Sequence, residues 1–75
     1  MERYKNLSRD SGVVAYEIGR DSVTVKFHDG ATYLYTYASA GEPNVEQMKV
    51  LAVTGRGLST FIARHARMAY AAKLR

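Results

Sequence analysis

An Asp29-Gly30 dipeptide stands between two alternating runs, Val23-Thr24-Val25-Lys26-Phe27-His28 and Tyr33-Leu34-Tyr35-Thr36-Tyr37, and this arrangement constrains the chain more than any other feature. Alternation of this kind is the pattern of a strand with one buried face, and Asp-Gly between two such runs is the strongest short-range hairpin signal. A two-residue type I′ loop needs positive φ at both central positions, which Asp tolerates and Gly adopts freely. That loop predicts His28 opposite Ala31, Lys26 opposite Tyr33 and Thr24 opposite Tyr35. Val23, Val25, Phe27 and Leu34 then share the core face, because successive strand residues point to opposite sides. Thr24, Lys26, His28, Tyr33, Tyr35 and Tyr37 share the outer one.

The same reasoning extends along the chain. Val13-Val14-Ala15-Tyr16-Glu17-Ile18 reads as a further strand, separated from the hairpin by the turn cluster Gly19-Arg20-Asp21-Ser22. Residues 38–43 read as a loop, with Gly41 and Pro43 as breakers. Asn44, followed three residues on by Gln47, has the signature of a helix N-cap and its capping-box partner. Val45, Met48, Leu51 and Ala52 then lie at helical spacing, and Thr54-Gly55-Arg56-Gly57 closes that helix. Ser59 is a cap for a second helix reaching toward Arg75, with Phe61, Ile62, His65, Met68, Ala69 and Ala72 on one face. On that reading His65 is a core histidine, and Arg64, Arg67 and Arg75 form a separate basic ridge. Residues 1–10 are polar and unpatterned and are expected to be a flexible N-terminal segment ahead of a single domain over 11–75. The expected architecture is α+β: a three-stranded antiparallel β-meander followed by two α-helices packed on one face.

Composition narrows the functional classes. An apolar content of 47% belongs to a globular chain rather than a disordered one, and 75 residues support one small core. There is no cysteine, so neither disulfides nor thiolate metal sites are available. The charged N-terminal stretch Met1–Asn6 leads into no apolar run, so no signal peptide or membrane span is expected and a cytoplasmic location is. His28 and His65 fall on different elements with no evident third ligand, so no metal or other cofactor is expected. Ser11 and Ser59 form no nucleophile–base–orienter grouping with Asp10, Asp21 or Asp29, and no enzymatic activity is expected.

Charge is more informative. The net charge is +4, but residues 1–46 hold five Lys/Arg against seven Asp/Glu (−2), whereas residues 47–75 hold six Lys/Arg and no acid (+6). A basic, acid-free half suits a polyanion, since each neutralised phosphate releases condensed counterion. Tyr33, Tyr35 and Tyr37 beside Lys26 and His28 form the mixture that single-stranded nucleic acid binding uses, rings for stacking and cations for phosphate. The same tyrosines also serve simple sheet packing or an interface with a partner subunit. Arg64, Arg67 and Arg75, with Arg56 and Lys73 nearby, can track a phosphate backbone or merely solvate a helix face. Gly55-Arg56-Gly57-Leu58-Ser59 can hold an anion at a helix start, or Gly55 can simply be the left-handed residue that ends a helix.

Val14-Ala15-Tyr16, then Val23-x-Val25-x-Phe27-x-x-Gly30-x-x-Tyr33-x-Tyr35, then Gly55-x-Gly57-Leu58-x-x-Phe61-Ile62 resembles the KTSC domain. That family is named for the C-terminus of some lysyl-tRNA synthetases and also occurs as a small stand-alone bacterial or phage protein. The resemblance covers roughly residues 11–70. This chain departs from it in lacking a Val-Pro shortly after the tyrosine pair, and in reading Ala63-Arg64-His65 where the family has Asn-Arg-His. The resemblance implies the α+β fold and, through its synthetase context, RNA. The sequence thus leads to a non-enzymatic nucleic-acid-binding module for RNA or single strands. The residues expected to carry it are Lys26, Tyr33, Tyr35, Tyr37, Arg56, Arg64 and Arg67. The alternative is a protein-interaction or oligomerisation module with the tyrosine face as its interface.

Overall fold

The computed structural model describes residues 1–9 and 11–75, so Asp10 lies outside the described residues. It is an α+β fold in which a five-stranded antiparallel sheet, in sequential order, carries all the helices on one face. Strands β2 (Val13–Ile18), β3 (Ser22–Phe27) and β4 (Thr32–Thr36) are the expected meander. Two short edge strands extend it, β1 (Glu2–Arg3) beside β2 and β5 (Ala72–Lys73) beside β4.

The loop between β3 and β4 has three residues, not two. The Phe27 amide donates to Ala31 O at 2.8 Å, and the Gly30 amide returns to Phe27 O at 2.9 Å. Gly30 alone carries the left-handed conformation (φ 92°), and Asp29 Oδ1 accepts from the Ala31 amide. This is the type I turn followed by a left-handed bulge residue, and it relieves Asp29 of the positive φ that a type I′ turn would impose. The extra loop residue shifts the register by one. Val25 faces Tyr33, Val23 faces Tyr35 and Lys26 faces Thr32. A one-residue shift turns a whole strand over. The expected outer tyrosine face is therefore corrected: Tyr33 and Tyr35 lie on the same side as Val23 and Val25, against the helices, and Leu34 points the other way. The energetic reason is area. Tyr35 is only 2% exposed and Tyr33 half-buried, and two aromatic rings bury more apolar surface than one leucine, each buried large side chain being worth about 1.5–3 kcal/mol.

Thr36 caps a short helix α1 (Tyr37–Ala40) through a capping box with Ser39, which removes Tyr37 from the strand. Helix α2 (Glu42–Thr54) starts two residues before the expected Asn44 cap, with Gly41 at its N-cap and Pro43 in its first turn. Asn44 instead donates from Nδ2 to Ala40 O at 2.9 Å. Val45, Met48 and Ala52 form the buried face of α2, which packs on β3 and β4. The helix ends as expected, at left-handed Gly55.

The second expected helix is much shorter. Helix α3 (Leu58–Phe61) begins after Gly57 rather than at a Ser59 cap and runs into a π-helical segment, Ile62–Ala66. Leu58, Ile62 and Ala66 are buried, while His65 is exposed and tilts against Phe61 with ring centroids 4.7 Å apart. The wider i→i+5 bonding of this segment rotates residue 65 off the face that a 3.6-residue period assigns to it. Beyond it the chain turns back as β5, with Ala71 N donating to Leu34 O and Leu74 N to Thr32 O, both at 2.7 Å. Arg75 is therefore not on a helical ridge with Arg64 and Arg67.

The N-terminal segment is likewise part of the packed domain. Tyr4 is 3% exposed, and its hydroxyl accepts from the Leu58 amide at 3.4 Å, so it satisfies a donor at the start of α3. Lys5 lies so close to Gly55 that a Cβ there would come within 2.6 Å of Lys5 Cβ, and the Leu7 amide donates to Gly55 O. Gly55 is thus needed twice, for its φ of 86° and for the approach of this segment. Among the described residues no helix is long and apolar enough to cross a membrane.

The observed register makes a direct prediction. Tyr35→Ala and Tyr4→Ala should each cost about 3–5 kcal/mol, as large-to-small core substitutions do. Thr24→Ala, on the uncovered face, should stay within about 0.5 kcal/mol. Urea denaturation of the three variants checks this, and a small loss at Tyr35 would restore the two-residue-loop register.

Candidate nucleic-acid interface

The inward turn of the tyrosines opens a different candidate site from the one the alternation predicts. At the end of the sheet where α3 and the π segment leave it, a groove of about 370 Å³ is lined by Phe27, Tyr33 and Tyr35 from the sheet. Ser59, Arg67 and Tyr70 close it from the helical side and the returning chain. Tyr35 contributes its floor. Tyr33 forms a wall, with its ring edge-on to Phe27 at 5.9 Å and tilted against Tyr70 at 4.9 Å. The register of β5 brings Lys73 opposite Tyr33, and its ammonium sits 5.9 Å from the Tyr33 ring centroid. A cation at that distance is attracted to the ring face. Among the described residues no carboxylate lines this groove.

A second cavity, of about 260 Å³, adjoins the first through Ser59. Ser8, Ser11, Arg56, Gly57 and Thr60 supply the rest of its lining. Arg56 and Arg67 therefore flank one residue, Ser59, from two neighbouring hollows. Arg64 is exposed on the π segment and lines neither cavity.

The remaining expected site residues lie elsewhere. Lys26 alternates with Val25 and projects to the uncovered face of the sheet, where it lines a separate hollow with Thr32, Leu74 and Arg75. Tyr37 is at the opposite end of β4. Its hydroxyl donates to Glu46 Oε2, which also takes an ion pair from Lys49 at 2.8 Å, and Lys49 lies 5.5 Å from the Tyr37 ring centroid. That hydrogen bond, with some burial and the nearby charges of Glu46, Glu42 and Asp21, pushes the Tyr37 phenol up to about 12. Lys49 and Tyr37, both hydrogen-bonded to it, hold the Glu46 carboxyl below its usual range. A phosphate would meet repulsion here, so Tyr37 does not belong with Tyr33. Burial, with the neighbouring Tyr33 and Tyr70 phenols, likewise pushes Tyr35 up to about 12.

The structure thus joins Tyr33, Tyr35 and Arg67 in one groove, adds Arg56 next door, and separates Lys26, Tyr37 and Arg64 from it. The groove adds Tyr70, which the sequence hides in a stretch that reads as helix, and brings beside it Lys73, expected only near the basic ridge, and Ser59, expected only in the anion-holding loop. Among the described residues no group of three His, Cys, Asp or Glu side chains converges as a metal site requires. No protein-family model matches the chain, and no curated protein or solved structure matches it significantly.

The two raised phenols set an alkaline signature. A folded-state value near 12 against about 10 in the unfolded chain means that the stability tied to each neutral phenol is complete below pH 10 and is lost as pH rises through 12. Absorbance titration should show two phenols, Tyr35 and Tyr37, ionising only near pH 12. Tyr37→Phe should remove one of the late steps, and urea should merge both with the rest. Ionisation of Tyr35 near pH 10 in the native protein would contradict its burial.

Proposed function

We propose that the protein is a small non-enzymatic module that binds RNA or single-stranded nucleic acid in the groove between Tyr33, Tyr70 and Arg67. The observation that carries this reading is the lining itself: two half-buried tyrosine rings beside a guanidinium, with a lysine over one ring and, among the described residues, no carboxylate in the wall. A flat aromatic wall accepts a base by stacking, worth about 1–3 kcal/mol per base, and a neighbouring arginine meets the phosphate that follows it. The acid-free composition beyond Glu46 supports the same reading. The module takes a single unpaired base rather than a run of three stacked ones, because Tyr35 lies beneath the groove and Tyr37 among carboxylates. The alternative of an interface built on the tyrosine face loses its surface for the same reason.

The KTSC resemblance belongs to this proposal. Its characteristic residues have structural duties in this chain: Gly30 makes the turn, Tyr35 fills the core, Gly55 and Gly57 hold left-handed conformations, and Leu58 and Ile62 are buried. They support kinship in fold, and the groove supports the nucleic-acid reading separately.

Fluorescence anisotropy with short RNA, single-stranded DNA and duplex DNA at two salt concentrations tests the reading. Single strands should bind with micromolar affinity that weakens with salt. Arg67→Ala should lower the logarithmic salt slope by about 0.7, and Tyr33→Leu should cost about 1–3 kcal/mol. Lys26→Ala and Tyr37→Phe should leave affinity unchanged. Absence of salt-sensitive binding to any of the three ligands would overturn it.

A further inference from the structure

The cavity beside the groove has a chemistry of its own. Among the described residues its side chains are one guanidinium, Arg56, and four hydroxyls, from Ser8, Ser11, Ser59 and Thr60, with no carboxylate and no large apolar group. Ser11 Oγ already accepts a hydrogen bond from the Val13 amide at 3.1 Å, so its own proton is available to donate into the hollow. Arg56 is exposed, and among the described residues the one ion pair is Lys49 with Glu46, at the other end of the molecule. A guanidinium with several hydroxyl donors suits a tetrahedral oxyanion, which accepts charge-assisted hydrogen bonds from each of them. The groove next to it offers rings. Ser59 belongs to both walls, so the two hollows adjoin, and a nucleotide carries a base and a phosphate side by side.

Resting on the nucleic-acid reading of the groove, we propose that the Arg56 cavity holds the phosphate attached to the nucleotide whose base lies against Tyr33. The ligand is then a phosphorylated strand that crosses the molecule at Ser59. The phosphate is either an internal diester or a terminal monoester, and both present the same oxyanion.

The test uses the full chain and 3′-fluorescein hexauridylates of three kinds: unmodified, bearing a 5′-phosphate, and carrying one uncharged methylphosphonate at each position in turn. In the native protein, one methylphosphonate position should weaken binding about tenfold if an internal diester is held. If a terminal phosphate is held, the 5′-phosphate should strengthen binding by the same factor. In either case the effect should vanish in Arg56→Gln, whose salt slope should fall by about 0.7, and Arg56→Lys should recover part of it. Thermal melting confirms that these exposed-site variants fold. If Arg56→Gln binds every oligonucleotide with native affinity and slope while Arg67→Ala binds weakly, this inference is wrong and the groove reading stands. If the native protein shows no salt-sensitive binding at all, both fall together.

Discussion

The three-residue turn His28–Gly30 decides which side of β4 meets the helices, and most of the remaining architecture depends on that decision. With Gly30 in the left-handed region and Asp29 spared from it, Val23 and Val25 come to face Tyr35 and Tyr33 across the strand pair. The two rings then lie under the helical layer and share the core with Met48, Leu58 and Ile62. The groove exists because Tyr33 is near the end of that layer, where the π segment departs and Tyr70 returns beside it. In the opposite register, Leu34 would sit under the helices and the rings would lie on the bare face of the sheet. There they would be far from Arg67, with Lys26 as their nearest cation.

Local patterns in the sequence were enough for the three long strands, for the left-handed stop at Gly55 and for the buried face of Val45, Met48 and Ala52. Each of these is written within a few consecutive residues. The register was not legible, because Asp-Gly is compatible with both a two- and a three-residue loop, and only the area buried across the whole layer separates them. The edge strands were not legible for a related reason. Glu2-Arg3 has no alternation to read, and Ala69 through Leu74 has high helix propensity with no glycine or proline to interrupt it. The unpaired edge of β4 overrides that propensity by offering Ala71 and Leu74 hydrogen bonds from a distant part of the chain. The same failure concealed Tyr70 as a lining residue of the groove and gave Arg75 a helical position it does not have. Arg56, Arg67 and Tyr33 were legible because charge and aromaticity are properties of residues, whatever their register.

The division of charge along the sequence becomes a division in space. Asp21, Glu42 and Glu46 gather around Tyr37, where β4 ends and α2 begins, and Lys49 is absorbed by Glu46 and by the Arg20 carbonyl. Arg56 and Arg67 lie beyond the other end of α2, on hollows that no carboxylate of the described residues lines. A polyanion approaching this molecule therefore experiences a gradient and not merely a net charge of +4. The exposed ion pair contributes little to stability.

The residues that build the scaffold and those that line the groove are largely different sets in this fold. Phe27, Gly30, Tyr35, Gly55, Leu58 and Ile62 shape the turn, the helix stop and the core, and a chain that kept only these would fold alike while binding anything or nothing. Arg56, Ser59, Arg67 and Tyr70 stand on the rim of that scaffold, and their removal leaves little of the core disturbed. Tyr33 belongs to both sets, since one edge of its ring packs on Phe27 while the ring also walls the groove and meets Lys73. Ligand chemistry in such a small domain must therefore be read from the residues around Tyr33. The tyrosine pair by itself reports only that the sheet has found its helices.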